Sequence, residues 1–520
     1  MATRDITRAL AGPAEPVPAA RLGRVHFTGI GGAGMSGVAR IMLTRGIRVS
    51  GSDARPSPAL DELAALGASV HVGHAAAHLR DLGPGDTLVV TSAIRPDNPE
   101  LAEARRRGML VLHRASALAS VMAGRRVTAV AGTHGKTTTT SMLTTVLREC
   151  GAQPGYAIGG VLNETGLGAD DGAGTDFVAE ADESDESFLL LWPDLAVITN
   201  VDADHLDNYA SLAEITDAFA TFAGHASGMV LACADDPGAQ AVAGRLEAAG
   251  RPRVRRYGQS GRADYRTGDV RPHGMAVSFT VTAQHSPFGE ISARVTVQVP
   301  GRHNALNGTA AFAAAVELGF PPPRVAAALA GYRGARRRME LVGQAAGVRV
   351  LDSYAHHPTE LAADLRAARD IVAAGPARPG GDAAAGPPAG GEPRGAGRPG
   401  GRVIAVFQPH LYSRTRIFAE QFGAALGLAD EAVVLDVYAA REDPEPGVTG
   451  KLVADAVPGG RARFVPDCGT GTPWSQVTAV VADIAAPGDV VLTMGAGDVT
   501  MLGPRLVRAL RGSAPGGLAG

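Results

Sequence analysis

Ala131–Thr140, AGTHGKTTTT, follows the apolar run Val127-Thr128-Ala129-Val130. A strand that runs into a glycine-bearing turn and then a helix aims backbone N–H groups and the positive helix end at an anion. Gly135-Lys136-Thr137 matches the close of the phosphate-loop pattern G-x-x-x-x-G-K-[ST]. The start departs from it: Val130 stands where the first glycine belongs, and Gly132 lies only three residues before Gly135. The two glycines still bracket a tight loop, so a shortened phosphate cradle is expected over Gly132, Thr133, His134, Gly135, Lys136, Thr137 and Thr138. In such a cradle Lys136 meets the outer phosphates and the Thr137 hydroxyl holds Mg²⁺. The bland alternative is an ordinary strand-to-helix turn.

The same alternation extends in both directions. From Arg24 the chain reads VHFTGI, a glycine loop, a helix near Gly37–Arg45 and IRVSGSD, followed by TLVVTSAI and LVLH. A second series starts at Arg125: VTAVAG, the loop, a helix to about Glu149, then DFVAEADESD and LAVITNVDADH. Residues 262–299 alternate like antiparallel strands, as an insertion or an edge of the second sheet. After PGRHNALN an alanine-rich helical stretch runs to about Pro321, and VRVLDSY, RVIAVFQ, EAVVLDVY and DVVLTMG make a third series. Strands alternating with helices predict an α/β fold with parallel sheets. At roughly 150 residues per domain, 520 residues suggest about three domains. The expected division is a mobile arm over 1–22, then domains over 23–123, 124–330 and 331–512. Inside the last, 375–401 is almost wholly Gly, Pro, Ala and Arg. Such a segment buries too little apolar surface to offset its ordering entropy, so a disordered insertion is expected.

Net charge is −3 and aromatics are 4%, which argues against a nucleic-acid or anionic-membrane partner. No apolar run reaches a membrane span, and the N-terminal stretch lacks a signal-peptide core. Cys150, Cys233 and Cys468 are far apart and lack CxxC spacing, as in a protein of a reducing compartment. A cytoplasmic enzyme is the expectation. Of 49 basic residues only Lys136 and Lys451 are lysine; Lys451 has no motif around it and reads as surface.

Several loops after apolar strands carry polar residues, where an open parallel sheet lines its ligand crevice. Glu180 and His205 are candidate Mg²⁺ ligands, or else surface acids and a capping histidine. Gly29-Ile30-Gly31-Gly32-Ala33-Gly34, with Asp53 nineteen residues beyond, suits a diphosphate at a helix start with Asp53 at a ribose. His303–Asn307 (HNALN) can read a purine edge or cap its helix. YAHHPTE, with His356 and His357, can touch phosphate or substrate. In QPHLYSRTR an arginine suits a carboxylate.

Taken in order over residues 24–510, GIGGAGMSG, GTHGKTTTT, EADESD, NVDADHLDNY, GRHNALN, ARRRME, YAHHPTE, QPHLYSRTR and TMGAGD resemble the Mur ligases of peptidoglycan synthesis. The shortened GxxGKT loop is that family's form. The resemblance implies a Rossmann-like N-terminal domain, a central phosphate-loop ATPase domain with a parallel sheet, and a Rossmann-like C-terminal domain. It implies that ATP phosphorylates the lactyl carboxylate of UDP-N-acetylmuramate, and that L-alanine then attacks the acyl phosphate. By the same resemblance Lys136, Glu180, His205 and His356 are catalytic, and Thr137, Glu180 and His205 hold metal. His303, Asn304, Asn307 and Arg338 join the loop in binding ATP. Gly31, Gly32, Ala33, Gly34, Met35, Ser36, Asp53, Ser92, Glu183 and Ser184 take the UDP-sugar, and His357, His410 and Arg414 the amino acid. Ser353 and Leu411 depart from residues common in relatives, an aspartate and an arginine. Competing expectations are a recycling ligase that attaches a tripeptide to the same nucleotide sugar, a nicotinamide-dependent oxidoreductase, and a non-catalytic nucleotide-gated protein.

Overall fold

The computed structural model describes residues 16–203, 208–209, 211–375, 401–440, 442–466 and 474–512. Residues 1–15 of the expected arm, residues 376–400 of the expected insertion, and His205 lie outside the described residues. The end of the expected arm is anchored instead of mobile. Ala19–Arg21 forms a 3-10 turn, Leu22 is fully buried, and its carbonyl accepts a 2.7 Å hydrogen bond from Thr87 Oγ1.

The first sheet consists of β1 (Val25–Thr28), β2 (Val49–Asp53), β3 (Ser69–Val72), β4 (Thr87–Val90) and β5 (Leu110–His113), all parallel, in the order β3-β2-β1-β4-β5. The order reverses beside β1, and ligands of such sheets bind at the carboxyl ends next to that reversal. The glycine loop leaves β1 there. Its helix, Ala33–Thr44, starts earlier than the sequence suggested because Gly32 already serves as N-cap.

The second sheet contains β6 (Arg126–Ala131), β7 (Gly155–Ala157), β8 (Ala169–Asp170), β9 (Asp176–Glu180), β10 (Leu195–Ile198), β11 (Met229–Cys233), β12 (Arg253–Gly258), β13 (Tyr265–His273), β14 (Ala276–Ser286) and β15 (Gly289–Val297). Its order is β15-β14-β13-β12-β11-β10-β6-β9-β7-β8. β6 is central, flanked in parallel by β9 and β10. The alternating 262–299 segment is therefore the sheet's edge. Two-residue connections join β13 to β14 and β14 to β15, which only antiparallel neighbours permit.

The third sheet comprises β16 (Glu340–Ala345), β17 (Val348–Ser353), β18 (Val403–Phe407), β19 (Glu431–Leu435), β20 (Ala462–Val465) and β21 (Val490–Met494), ordered β16-β17-β21-β18-β19-β20. β16 is antiparallel to β17 and the rest are parallel. β18 and β21 are buried at every position, because the sheet is covered on both faces. Leu351, Phe407, Val434 and Leu492 pack on one side, and Val350, Ile404, Val433 and Val491 on the other. Full burial of each such side chain is worth about 1.5–3 kcal/mol.

The chain forms two compact units. One holds residues up to Asp269 with Phe279–Val297 and Leu306–Ala335; the other holds Val270–Ser278, Gln298–Ala305 and the chain from Arg336 on.

Candidate active site

In the first unit, β6 delivers the chain into the glycine turn and the helix Lys136–Glu149. Gly132 (φ +143°) and Gly135 (φ +81°) hold conformations that L side chains rarely adopt. A Cβ on Gly132 would also lie 1.9 Å from Thr199 Oγ1. The turn is braced from the end of β10. His134 N donates to Asn200 Oδ1 at 2.8 Å, and the His134 carbonyl accepts from Asn200 Nδ2 (2.9 Å) and Thr199 Oγ1 (2.6 Å). Gly135 is the N-cap and no side chain caps the helix, so its first turn presents N–H groups to an anion.

Lys136 Nζ donates to the carbonyls of Gly132 (2.6 Å) and Thr133 (3.3 Å) and to Glu183 Oε1 (2.8 Å). Burial works against its charge, yet Glu183, Asp182 and Glu180 outweigh that and raise its pKa. Burial likewise opposes the charge of Asp182, but Lys136 and then Arg114 bring it down to about 2. Thr137 Oγ1 donates to Glu180 Oε1 at 3.0 Å, and Gly159 N fixes Glu180 Oε2 at 2.6 Å. A hydroxyl and a carboxylate side by side form a hard-oxygen pair of the kind Mg²⁺ takes. Asn307 Oδ1 accepts from Thr139 Oγ1 at 3.3 Å and lies 2.7 Å from where a Cβ on Gly135 would sit. Asn307 thus supports the cradle it was expected to extend.

At the first sheet's carboxyl ends, Asp53 Oδ2 accepts from Gly31 N at 2.9 Å, so one carboxylate oxygen tightens the loop. Met35 is buried among core residues, which leaves only its backbone for a ligand. Ser36 Oγ donates to the Ala33 carbonyl (3.1 Å). Ser92 Oγ donates to Asp185 Oδ2 at 2.7 Å, and Arg114 lies 3.9 Å from Asp182. The acidic segment Asp182–Glu186 therefore touches both the first sheet and Lys136. Tyr209 OH donates to the Glu183 carbonyl (2.6 Å) and Asn208 Nδ2 to that of Ser184 (2.9 Å). Glu183, expected at the sugar nucleotide, is the ion-pair partner of Lys136 here.

In the second unit, Arg337 Nη2 donates to the carbonyls of Gly495 (2.5 Å) and Gly497 (3.1 Å), while the guanidinia of Arg337 and Arg338 lie over the Tyr354 ring. His356 Nδ1 is 3.0 Å from the Tyr354 carbonyl. A carbonyl only accepts, so Nδ1 carries the proton and Nε2 the lone pair of the neutral ring. His357 caps the helix Pro358–Ala373, its Nδ1 accepting from Thr359 N, with Glu360 completing a capping box. Ser353 Oγ donates to Asp364 Oδ2 at 2.5 Å, and burial drives Asp364 up to about 7. The His410 ring stacks on Tyr438 at 5.9 Å and lies 6.0 Å from His356. Arg414 is buried at the start of the helix Tyr412–Leu426, whose preceding residue, Leu411, has φ +70°. His303 opens the helix His303–Glu317, and burial pushes its pKa down to about 4. Asn304 Nδ2 donates to the Pro300 carbonyl at 2.7 Å.

Family models match the chain in three consecutive pieces. Residues 24–126 match the Mur ligase family catalytic domain, 130–315 the Mur ligase middle domain, and 337–378 with 394–497 the Mur ligase glutamate ligase domain. The chain belongs to the Mur ligase family. The UDP-N-acetylmuramate–L-alanine ligase of Thermobifida fusca is 54% identical over 96% of this chain and 99% of its own. That of Kineococcus radiotolerans is 53% identical over 94% and 97%. Among solved structures, the UDP-N-acetylmuramate–alanine ligase of Thermotoga maritima aligns with TM-score 0.73 and 27% identity, covering 94% of this chain and all of that one (100%).

Several contacts in this Mur ligase are not visible in its motifs. Thr199 and Asn200 brace the phosphate turn, Asp182 and Asp185 tie the acidic segment to Arg114 and Ser92, and Arg337 holds the Gly495–Gly497 turn. Thr199 and Asn200 directly follow the apolar strand β10 and Asp182 and Asp185 lie in the loop after β9, whereas Arg337 lies ahead of β16.

Proposed function

We propose that this Mur ligase joins L-alanine to the lactyl carboxylate of UDP-N-acetylmuramate at the expense of ATP. The observation that carries the reading is the largely enclosed Lys136, held at the mouth of a shortened glycine turn beside the Thr137–Glu180 oxygen pair. The printed names of relatives at 50–54% identity over nearly the whole chain support the choice of substrates. The domains proposed are 23–123 for the UDP-sugar, 124–330 for ATP and 331–512 for the amino acid.

A carboxylate is a poor acyl donor until one of its oxygens becomes a good leaving group. The carboxylate oxygen attacks the terminal phosphorus, the bond to the bridging oxygen breaks, and ADP leaves. Such a transfer needs chiefly positioning and charge neutralisation. Lys136 and the N–H groups of the helix start supply both at the phosphates. Mg²⁺, when bound, adds charge neutralisation at the transferring group; Thr137, Glu180 and His205 are assigned to hold it. The neutral amine of alanine then adds to the acyl carbon, and the tetrahedral adduct expels phosphate as the nitrogen loses a proton. The Nε2 lone pair of His356 is the assigned acceptor of that proton. His357, His410 and Arg414 are assigned to the amino acid, with Arg414 facing its carboxylate. His303, Asn304, Asn307 and Arg338 are assigned to ATP. No described helix is long and apolar enough to cross a membrane, and a cytoplasmic site of action fits nucleotide substrates.

The test is ADP release with UDP-N-acetylmuramate and, separately, L-alanine, glycine, L-serine and an L-alanine-headed tripeptide. L-alanine is expected to give the highest kcat/KM. Turnover with the tripeptide alone would overturn the reading in favour of a recycling ligase.

A further inference from the structure

On one face of the first sheet β1, β2 and β3 carry polar residues, whereas β4 presents the buried Leu88 opposite His26. Across the register, His26 lies opposite Ser50 and Ser50 opposite Ser69, while Thr28 lies opposite Ser52 and Ser52 opposite His71. Parallel strands between two covering layers ordinarily bury apolar residues on both faces, so this layer needs a cause. At its centre is Glu100, fully buried, delivered by the helix Pro99–Arg106 whose N-cap is Asn98. Glu100 Oε2 accepts from Thr28 Oγ1 and Ser52 Oγ, each at 2.7 Å. Oε1 accepts from Ala75 N (3.3 Å) and pairs with His78 Nδ1 (2.8 Å). His74 Nδ1 lies 2.8 Å from Ser52 Oγ. That hydroxyl's one proton goes to Glu100, so His74 donates to it.

Burying a carboxylate is costly unless every lone pair is met, and here the donors come from places that matter. Thr28 immediately precedes the glycine loop and Ser52 immediately precedes Asp53. The Ser52 carbonyl accepts from Gly29 N (2.7 Å) and Ile30 N (3.0 Å), and Asp53 accepts from Gly31 N (2.9 Å). The first three amides of the loop are thus fixed by the strand end that Glu100 holds. The N–H groups left to face a ligand are those at the start of the helix Ala33–Thr44, which has no side-chain cap.

We infer that Glu100 is a positioning residue for the UDP-sugar: by clamping the ends of β1 and β2 from beneath, it sets the geometry of the diphosphate loop without touching the nucleotide. The inference rests on the proposed substrate and deepens it.

Glu100→Gln retains the shape but converts one acceptor oxygen into a donor among donors. Ser52→Ala leaves the carboxylate in place and removes one link to the loop. Glu100→Gln should raise KM for UDP-N-acetylmuramate by about tenfold, the ratio of one charge-assisted hydrogen bond. kcat and KM for ATP should stay within about twofold, since those steps use other residues. Ser52→Ala should raise the same KM, and the double variant should be less than additive because both act through one contact. Calorimetric titration with UDP alone should weaken in parallel. An unchanged KM for the sugar nucleotide in Glu100→Gln would overturn the inference. So would a uniform loss across kcat and both KM values with a lowered melting point, which marks a merely structural group. A wild-type protein that binds UDP yet ligates no amino acid would sink the proposed function and leave this inference standing.

Discussion

Lys136→Met separates two roles that one side chain carries. Its ammonium compensates Glu183, which is 2% exposed and 2.8 Å away, with Asp182 and Glu180 close by. Methionine fills a similar volume but removes the ion pair between Lys136 and Glu183. Breaking a buried pair by removing one partner costs about 3–5 kcal/mol. Turnover should fall by about 100-fold or more, as when a single preorganised donor to a developing charge is lost. Adding Glu183→Gln removes the charge that Lys136 balanced, so Lys136→Met/Glu183→Gln should regain most of the stability and none of the turnover. The assays are denaturant melts of the variants, read as midpoint and slope, alongside ADP release under saturating substrates. A Lys136→Met protein with a wild-type midpoint would refute the charge compensation. A double variant that recovers turnover would refute the role of Lys136 at the phosphates.

Two further outcomes follow from local geometry. A Cβ at Gly159 would lie 2.6 Å from Glu180 Oε1, so Gly159→Ala should displace this carboxylate and raise the Mg²⁺ concentration for half-maximal activity by about tenfold, roughly one hydrogen bond's worth; a magnesium titration of ADP release measures it, and an unchanged curve counts against Glu180 as a ligand. Asp364 has its pKa raised by burial from 3.8 to about 7, so the folded state binds the proton more tightly than the unfolded one. Its stabilising contribution is complete below about pH 4 and is lost as pH rises to about 7. Asp364→Asn, which stays neutral, should gain stability relative to wild type between pH 5 and pH 8 in paired denaturant melts. An equal difference at both pH values would refute the assignment.

The parts of the molecule legible in the sequence are those encoded locally. VTAVAG before GTHGKT announces strand, turn and helix, and β18 is apolar throughout, as is β21 but for Thr493, because both faces are covered. β3 (SVHV) and β20 (ARFV) carry no such signal, since half or more of each strand is exposed or partly so. Candidate site residues can be picked from the sequence because strand ends are visible; their partners cannot. Glu183 meets Lys136 across 47 positions, and Glu100 reaches Thr28 across 72. Likewise the capping contact of His357 Nδ1 is set by the helix beginning at Pro358 and is not visible in the HHP motif itself. Leu411 occupies a left-handed conformation that favours glycine, a departure no pattern of apolar residues reveals.

The scarcity of lysine has a practical side. Lys136 is enclosed by loop carbonyls and Glu183, whereas Lys451 stands on the surface with Asp455 at 2.6 Å. Apart from the amino terminus, amine-directed reagents therefore have one accessible target in the native protein. A dye or a bead attached through Lys451 would tether nearly every molecule in the same orientation, with the glycine turn around Lys136 left chemically untouched.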